Sequence, residues 1–214
     1  MKEIKRPSSG LVTLSVTCRG VSPLLMNKID DDTLLNLRRP GGKKAKTRER
    51  PELPRDEAVG KVYTTKEGVP YIPSENLLAC LIAAGQFVRL DGKRQVSTAK
   101  STTLPAFLSV ENDHLPLFTH PGRSAPQWET DIRPGRNPNG NEMVCLVRPR
   151  FDAWAFDVEC TVDLDEIGMA LVRQLFDTAG KRIGLGDFRP SRKGPFGKFC
   201  VVSWEEKSYS AAAE

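Results

Sequence analysis

From residue 11 to residue 18, apolar and polar side chains alternate. Val12, Leu14, Val16 and Cys18 fall on one side, and Thr13, Ser15 and Thr17 on the other. A period of two marks a strand with one buried face. Trp154, Phe156, Val158, Cys160 and Val162 repeat the pattern over residues 154–162. Residues 142–148 precede them across a turn at 149–152, so the two segments read as an antiparallel pair. Residues 198–204 supply a last strand. Two stretches switch to helical spacing. The first covers 74–88, with Leu77, Leu78, Leu81 and Ile82 in its apolar stripe and Ser74 at the capping position. The second covers about 164–179, with Leu164, Ile167, Leu171, Val172, Leu175 and Phe176 turned inward. Asp163 or Asp165 is its expected cap, and Gly180 its expected C′ residue.

Between these elements the pattern loosens. Residues 69–73 read as extended, because Pro70 and Pro73 turn their predecessors away from helix. Residues 106–110 and 115–118 read as a small hairpin. The chain over 22–56 carries Asp30, Asp31, Asp32, Pro40, Gly41 and Gly42 with few apolar positions. It reads as a long mobile insertion with a short helix near 33–37, expected to order on a ligand. Residues 120–141, rich in Pro, Gly, Asn and Arg, read as a second long loop. Stripped of these insertions, the order is strand, helix, strand, strand, helix, strand. That order is the βαββαβ plan of an α+β, ferredoxin-like (RRM-like) sheet. The chain is expected to be one such domain over 1–214, with insertions at about 22–68 and 89–141.

Composition narrows the class. Of 214 residues, 39% are apolar, enough for a sizeable core. The longest apolar run, residues 77–84, is far below the ~20 residues of a membrane span. Residues 1–7 lack the apolar region of a signal peptide, so a cytoplasmic protein with no membrane partner is expected. The five cysteines, at 18, 80, 145, 160 and 200, include no C-x-x-C pair, and only two histidines accompany them. They read as reduced core residues, and neither a metal site nor a cofactor is expected.

Charge changes the picture most. Residues 38–50 hold seven basic side chains against one acidic, and residues 181–198 hold six against one. A chain of net charge +5 has therefore gathered its positive charge into two glycine- and proline-bearing segments on an acidic body. Such a distribution favours a polyanion. The residues expected to neutralise phosphates are Lys43, Lys44, Lys46 and Arg48 in the first segment. In the second they are Lys181, Arg182, Arg189, Arg192 and Lys193, with Gly184 and Gly186 permitting close backbone approach. Arg189 stands near Asp187, and the two read as an internal ion pair that shapes the loop. Trp128 or Phe188 is a candidate to stack on a base, with burial in the core the equal alternative.

Other motifs fail. Gly184, Gly186 and Arg189 begin like a dinucleotide fingerprint, but arginine stands where a third glycine belongs, and the run follows a helix. No phosphate-binding G-x-x-x-x-G-K-[ST] occurs. Asp157 and Glu159 occupy the outer sheet face, where an RRM displays stacking aromatics. His114 and His120 have no nucleophile or carboxylate at a spacing that ties it to them, so no catalytic residue is assigned.

Two runs carry a resemblance. GVPYIPSENLL at 68–78 resembles the G-x-P-x-I-P-x-S-x-L lead-in to the first helix of the RAMP superfamily of CRISPR-associated proteins. GKRIGLG at 180–186, continuing to GPFG at 194–197, is similar to that superfamily's C-terminal glycine-rich loop. The lead-in departs in lacking Lys-Gly after the serine, and the loop in carrying Asp187, Phe188, Arg189 and Pro190. The resemblance implies a backbone-like subunit of a CRISPR effector ribonucleoprotein in antiviral defence. Such subunits polymerise along a guide RNA, so its partners would be single-stranded RNA, further copies of itself and other effector subunits. Single-stranded DNA is the second candidate ligand. The alternatives are a metal-independent RAMP-type endoribonuclease using His114 or His120, and an assembly protein of a phage-like element whose basic loops meet acidic proteins.

Overall fold

The computed structural model describes residues 10–29, 34–35, 53–90, 92–136 and 142–208. In chain order its elements are β1 (Leu11–Gly20), β2 (Leu24–Leu25), α1 (Pro54–Val59), β3 (Tyr71–Pro73) and α2 (Ser74–Ala84). Then come β4 (Arg89–Leu90), β5 (Arg94–Gln95), β6 (Leu108–Val110), β7 (His114–Pro116), β8 (Glu129–Arg136) and β9 (Met143–Phe151). Last are β10 (Ala155–Asp163), α3 (Met169–Thr178) and β11 (Phe199–Ser208).

The main sheet has the order β11-β1-β10-β6, with every neighbouring pair antiparallel. With α2 after β1 and α3 after β10, this is the ferredoxin-like βαββαβ arrangement of an α+β protein. The alternation of β1 and β10 does what its period requires. Leu14, Val16, Phe156, Val158 and Cys160 meet Leu77, Leu81, Val172, Leu175 and Phe176 in one core, and α2 and α3 pack together. The opposite face is polar, and the Thr17 hydroxyl donates to Asp157 at 2.8 Å. Burial raises the thiol of Cys18 well above its ordinary range and pushes those of Cys80 and Cys160 up to about 12. These thiols stay protonated, as core residues do.

The second strand of the plan is not where alternation placed it. Residues 142–148 do not pair with 154–162. β9 lies with β2 and β8 in a separate three-stranded sheet, and the partner of β10 is the three-residue β6. Alternation reports a buried face and says nothing of which strand lies alongside, and three residues are too few to show a period. The expected hairpin over 106–118 is likewise absent, since β6 pairs with β10 and β7 with β3. Residues 120–141, expected as a loop, contain β8. Its Pro134 and Gly135 mask the strand in the sequence, and both are tolerated because β8 is an edge strand among the described residues.

The helix ends also differ. The N-cap of α2 is Pro73, and the Ser74 hydroxyl donates to the Asp113 carbonyl at 3.0 Å, tying the helix to the turn before β7. α3 starts at Met169 behind Gly168. Residues 163–167 wind instead into a turn in which the Asp163 carbonyl accepts from Glu166 and Ile167. Of the helix expected near 33–37, Leu34 and Leu35 are described, and both are helical. The rest of that expectation lies outside the described residues.

Trp154 sits where the chain leaves β9 for the main sheet. Its side chain is 1% exposed, its indole N–H donates to the Ser22 carbonyl at 2.8 Å, and it stacks on Phe156 and meets Phe199 edge-on. One side chain thus joins the exit of β1, the start of β10 and the start of β11.

Candidate nucleic-acid interface

The glycine-rich segment begins where α3 widens into a π-turn, Ala179–Ile183. Helical winding runs past Gly180, the expected terminator, and ends at Gly184, whose φ is 75° and whose N–H returns to the Ala179 carbonyl at 2.8 Å. A side chain at Gly184 would stand 2.7 Å from the ring of Pro190. Gly186, with φ 73°, lies directly on the Leu25 carbonyl. The loop then returns through a 3-10 turn, Pro190–Arg192, and through Lys193 in the left-handed region.

This loop is braced by its own backbone. Leu185 donates to Gly197 at 2.9 Å, Asp187 to Leu25 at 2.8 Å, and Gly197 to Pro23 at 2.7 Å. The N–H groups of Gly184, Phe188, Arg192, Lys193 and Gly194 also have internal partners. At Gly184 and Gly186 the close approach that glycine permits is made by the protein itself, to Pro190 and to Leu25. Replacing Gly186 with alanine is expected to destabilise the protein by about 2–5 kcal/mol. A left-handed φ costs about 1–2 kcal/mol for an L-residue, and overpacking against Leu25 adds about 1–3 kcal/mol. Chemical denaturation measures the change, and a loss below about 1 kcal/mol would contradict this seating of the loop.

The charges sort themselves around this frame. Asp187, the one carboxylate of the segment, pairs with Arg148 of β9 at 2.8 Å, and the Arg148 side chain is only 11% exposed. The expected Asp187–Arg189 pair is not formed. Arg189 donates instead to the Gly186 carbonyl at 2.7 Å and to the Ser191 hydroxyl at 3.0 Å, so it shapes the loop through other partners. An arginine of β9, 39 residues earlier in the chain, draws the aspartate away, and no local spacing signals that. Lys181, Arg182, Arg192 and Lys193 are exposed. Neither they nor Arg189 has a carboxylate within ion-pair distance among the described residues. The turns at 179–183 and 190–192 pack against each other, which brings these cations to one end of the fold. Arg182 lies over the exposed ring of Phe87 at 5.1 Å. Lys43, Lys44, Lys46 and Arg48 lie outside the described residues.

Beside the loop is a cleft of about 280 Å³ between α2, Tyr63 and the segment following β2. Gly184, Gly186, Asp187, Arg189 and Ser191 form one wall, and Asn76 and Ala79 of α2 another. Its floor includes Met26 and Ile72. Sequence reasoning missed Tyr63, Asn27 and Asn76, each unremarkable in its own segment. The aromatic residues it did single out are placed differently. Arg55 covers the Trp128 ring at 3.5 Å, while Phe188 is 38% exposed beside Phe196. His114 stacks on Tyr71 at 4.2 Å, and His120 is exposed in the loop after β7. Among the described residues, no three His, Cys, Asp or Glu side chains gather closely enough to hold a metal ion, and no helix is long and apolar enough to cross a membrane.

No family model matches this chain, and no curated protein matches it. Among solved structures it is similar to a chain of the "Cryo-EM structure of the Type III-B Cmr-beta bound to cognate target RNA", with a TM-score of 0.49 and 8% identity. That similarity covers 92% of this chain, which spans 61% of the neighbour's length.

Proposed function

We propose that the protein binds single-stranded RNA by its phosphate backbone, as a backbone-type subunit of a CRISPR effector ribonucleoprotein. The observation that carries the reading is the cluster Lys181, Arg182, Arg189, Arg192 and Lys193. These five cations fall within one loop and have no carboxylate partner among the described residues. The loop's single acid is already neutralised by Arg148. Unpaired cations on a braced loop hold a positive potential without the cost of breaking internal ion pairs. Lys43, Lys44, Lys46 and Arg48 would add phosphate contacts of their own.

The finer part of the reading, an effector subunit beside copies of itself, is supported by where the two sequence motifs fall. The 68–78 run leads into α2 and the glycine-rich run follows α3, the places they hold in the RAMP plan that the sequence resembles. His114 is taken up in a stack with Tyr71 and His120 lies exposed in a loop, and neither placement favours cleavage over binding.

The test is a gel-shift series with single-stranded RNA, single-stranded DNA and duplex RNA, and an acidic protein as competitor. Single-stranded RNA should shift and resist the competitor. Absence of any shift, or displacement by the acidic protein at equal charge, would overturn the reading.

A further inference from the structure

The cleft has a composition that phosphate binding does not require. Its lining joins Tyr63, Asn27 and Asn76 to the apolar residues Leu24, Met26 and Ile72. Asn76 is exposed and has no hydrogen-bond partner among the described residues, and Asn27 makes one long contact, 3.4 Å, to Asp187. Tyr63 is half-buried and is held at 5.7 Å by Tyr71, which is itself stacked on His114. A three-ring row therefore starts at the cleft wall. Burial, with Tyr71 and Glu75 nearby, raises the Tyr63 hydroxyl above its ordinary range, so the ring stays neutral.

The geometry points to a base-binding subsite: we infer that the cleft receives one unstacked base of the bound strand, with adenine preferred. This rests on the proposed RNA-binding reading and adds a sequence preference to it. Three features carry it. A volume of about 280 Å³ lies just below the ~300–1,000 Å³ range of small-molecule sites, the scale of a single base. Aromatic rings offer a surface to any base. A carboxamide offers a donor and an acceptor side by side, the complement of the adenine amino group and its neighbouring ring nitrogen. The cations of the glycine-rich loop border the same cleft through Arg189, so a strand held there by its phosphates passes the opening.

The test compares two RNA 11-mers, all-uridine and the same strand with one central adenine. Binding is measured for the native protein, for Asn76→Ala, for Tyr63→Leu and for the variant in which Lys181, Arg182, Arg192 and Lys193 become alanine. The native protein should prefer the adenine strand about tenfold. Asn76→Ala should abolish that preference while leaving the salt dependence of binding unchanged. Tyr63→Leu keeps the apolar bulk, and should lower affinity for both strands, again with the salt dependence intact. The four-residue variant should lose affinity for both strands and keep the ratio between them. Asn76 is exposed and its replacement leaves the core untouched, and a thermal melt of each variant checks this. No preference in the native protein, or a preference that survives Asn76→Ala, would overturn the subsite while leaving phosphate binding standing. Failure of the native protein to bind either strand would overturn both readings.

Discussion

With Lys181, Arg182, Arg192 and Lys193 all replaced by alanine, the protein should bind single-stranded RNA about a hundredfold more weakly at moderate salt, by the same factor for every sequence. Each phosphate contact on a single strand contributes through charge neutralisation and counterion release, and four lost together compound. The four side chains are exposed and have no carboxylate partner among the described residues. Their removal should change stability by no more than about 0.5 kcal/mol each. Arg189 is left in place on purpose. Its bonds to Gly186 and Ser191 shape the loop, so its loss would confuse a binding effect with a folding one. Fluorescence anisotropy with several unrelated oligonucleotides, beside a thermal melt, makes the comparison. Undiminished affinity in a folded variant would remove this loop from the interface.

The largest effect on stability is expected at Trp154. Replacing it with alanine should cost about 3–5 kcal/mol, the range for large aromatic truncations in a packed core. The lost indole donor also leaves the Ser22 carbonyl without that bond, a further penalty of about 1–3 kcal/mol where water cannot replace it. At ~2–4 °C per kcal/mol for a chain of this size, the melting midpoint should fall by ~10 °C or more. Trp204 is the control. It is only partly buried, meets Phe176 edge-on and lies under Arg173, so Trp204→Ala should cost less than half as much. Equal losses would mean that the junction of β1, β10 and β11 does not depend on Trp154.

These two side chains and the loop also show how far the sequence could be read. β1 and β10 were legible because each buries one face along its whole length, so their period survives intact. α2 and α3 were legible for the same reason at helical spacing. What failed was pairing. β6 is three residues long and β8 carries proline and glycine, so in the sequence the longer, cleaner β9 reads as the second strand of the main sheet. Caps failed where a side chain found a distant partner, as Ser74 did with Asp113. In the interface, the charge clusters were visible because charge adds along a segment. The Arg148–Asp187 pair and the Tyr63, Tyr71 and His114 row were not, because each joins segments far apart in sequence. The glycines were read as room for a phosphate. The structure shows what else Gly184 and Gly186 accommodate, close contacts with Pro190 and Leu25, which no local spacing signals.

The central claim is that phosphates, and not base edges, supply most of the affinity. The measurement that reaches it most directly is the salt dependence of binding by the unmodified protein to single-stranded RNAs of unrelated sequence. Logarithmic affinity should fall linearly with logarithmic salt, with a slope of about −0.7 for each phosphate neutralised. At least four loop cations in contact would place that slope near −3, alike for all sequences, with only the intercept higher for strands that offer an adenine. A slope near zero, or one that changes from sequence to sequence, would contradict the account.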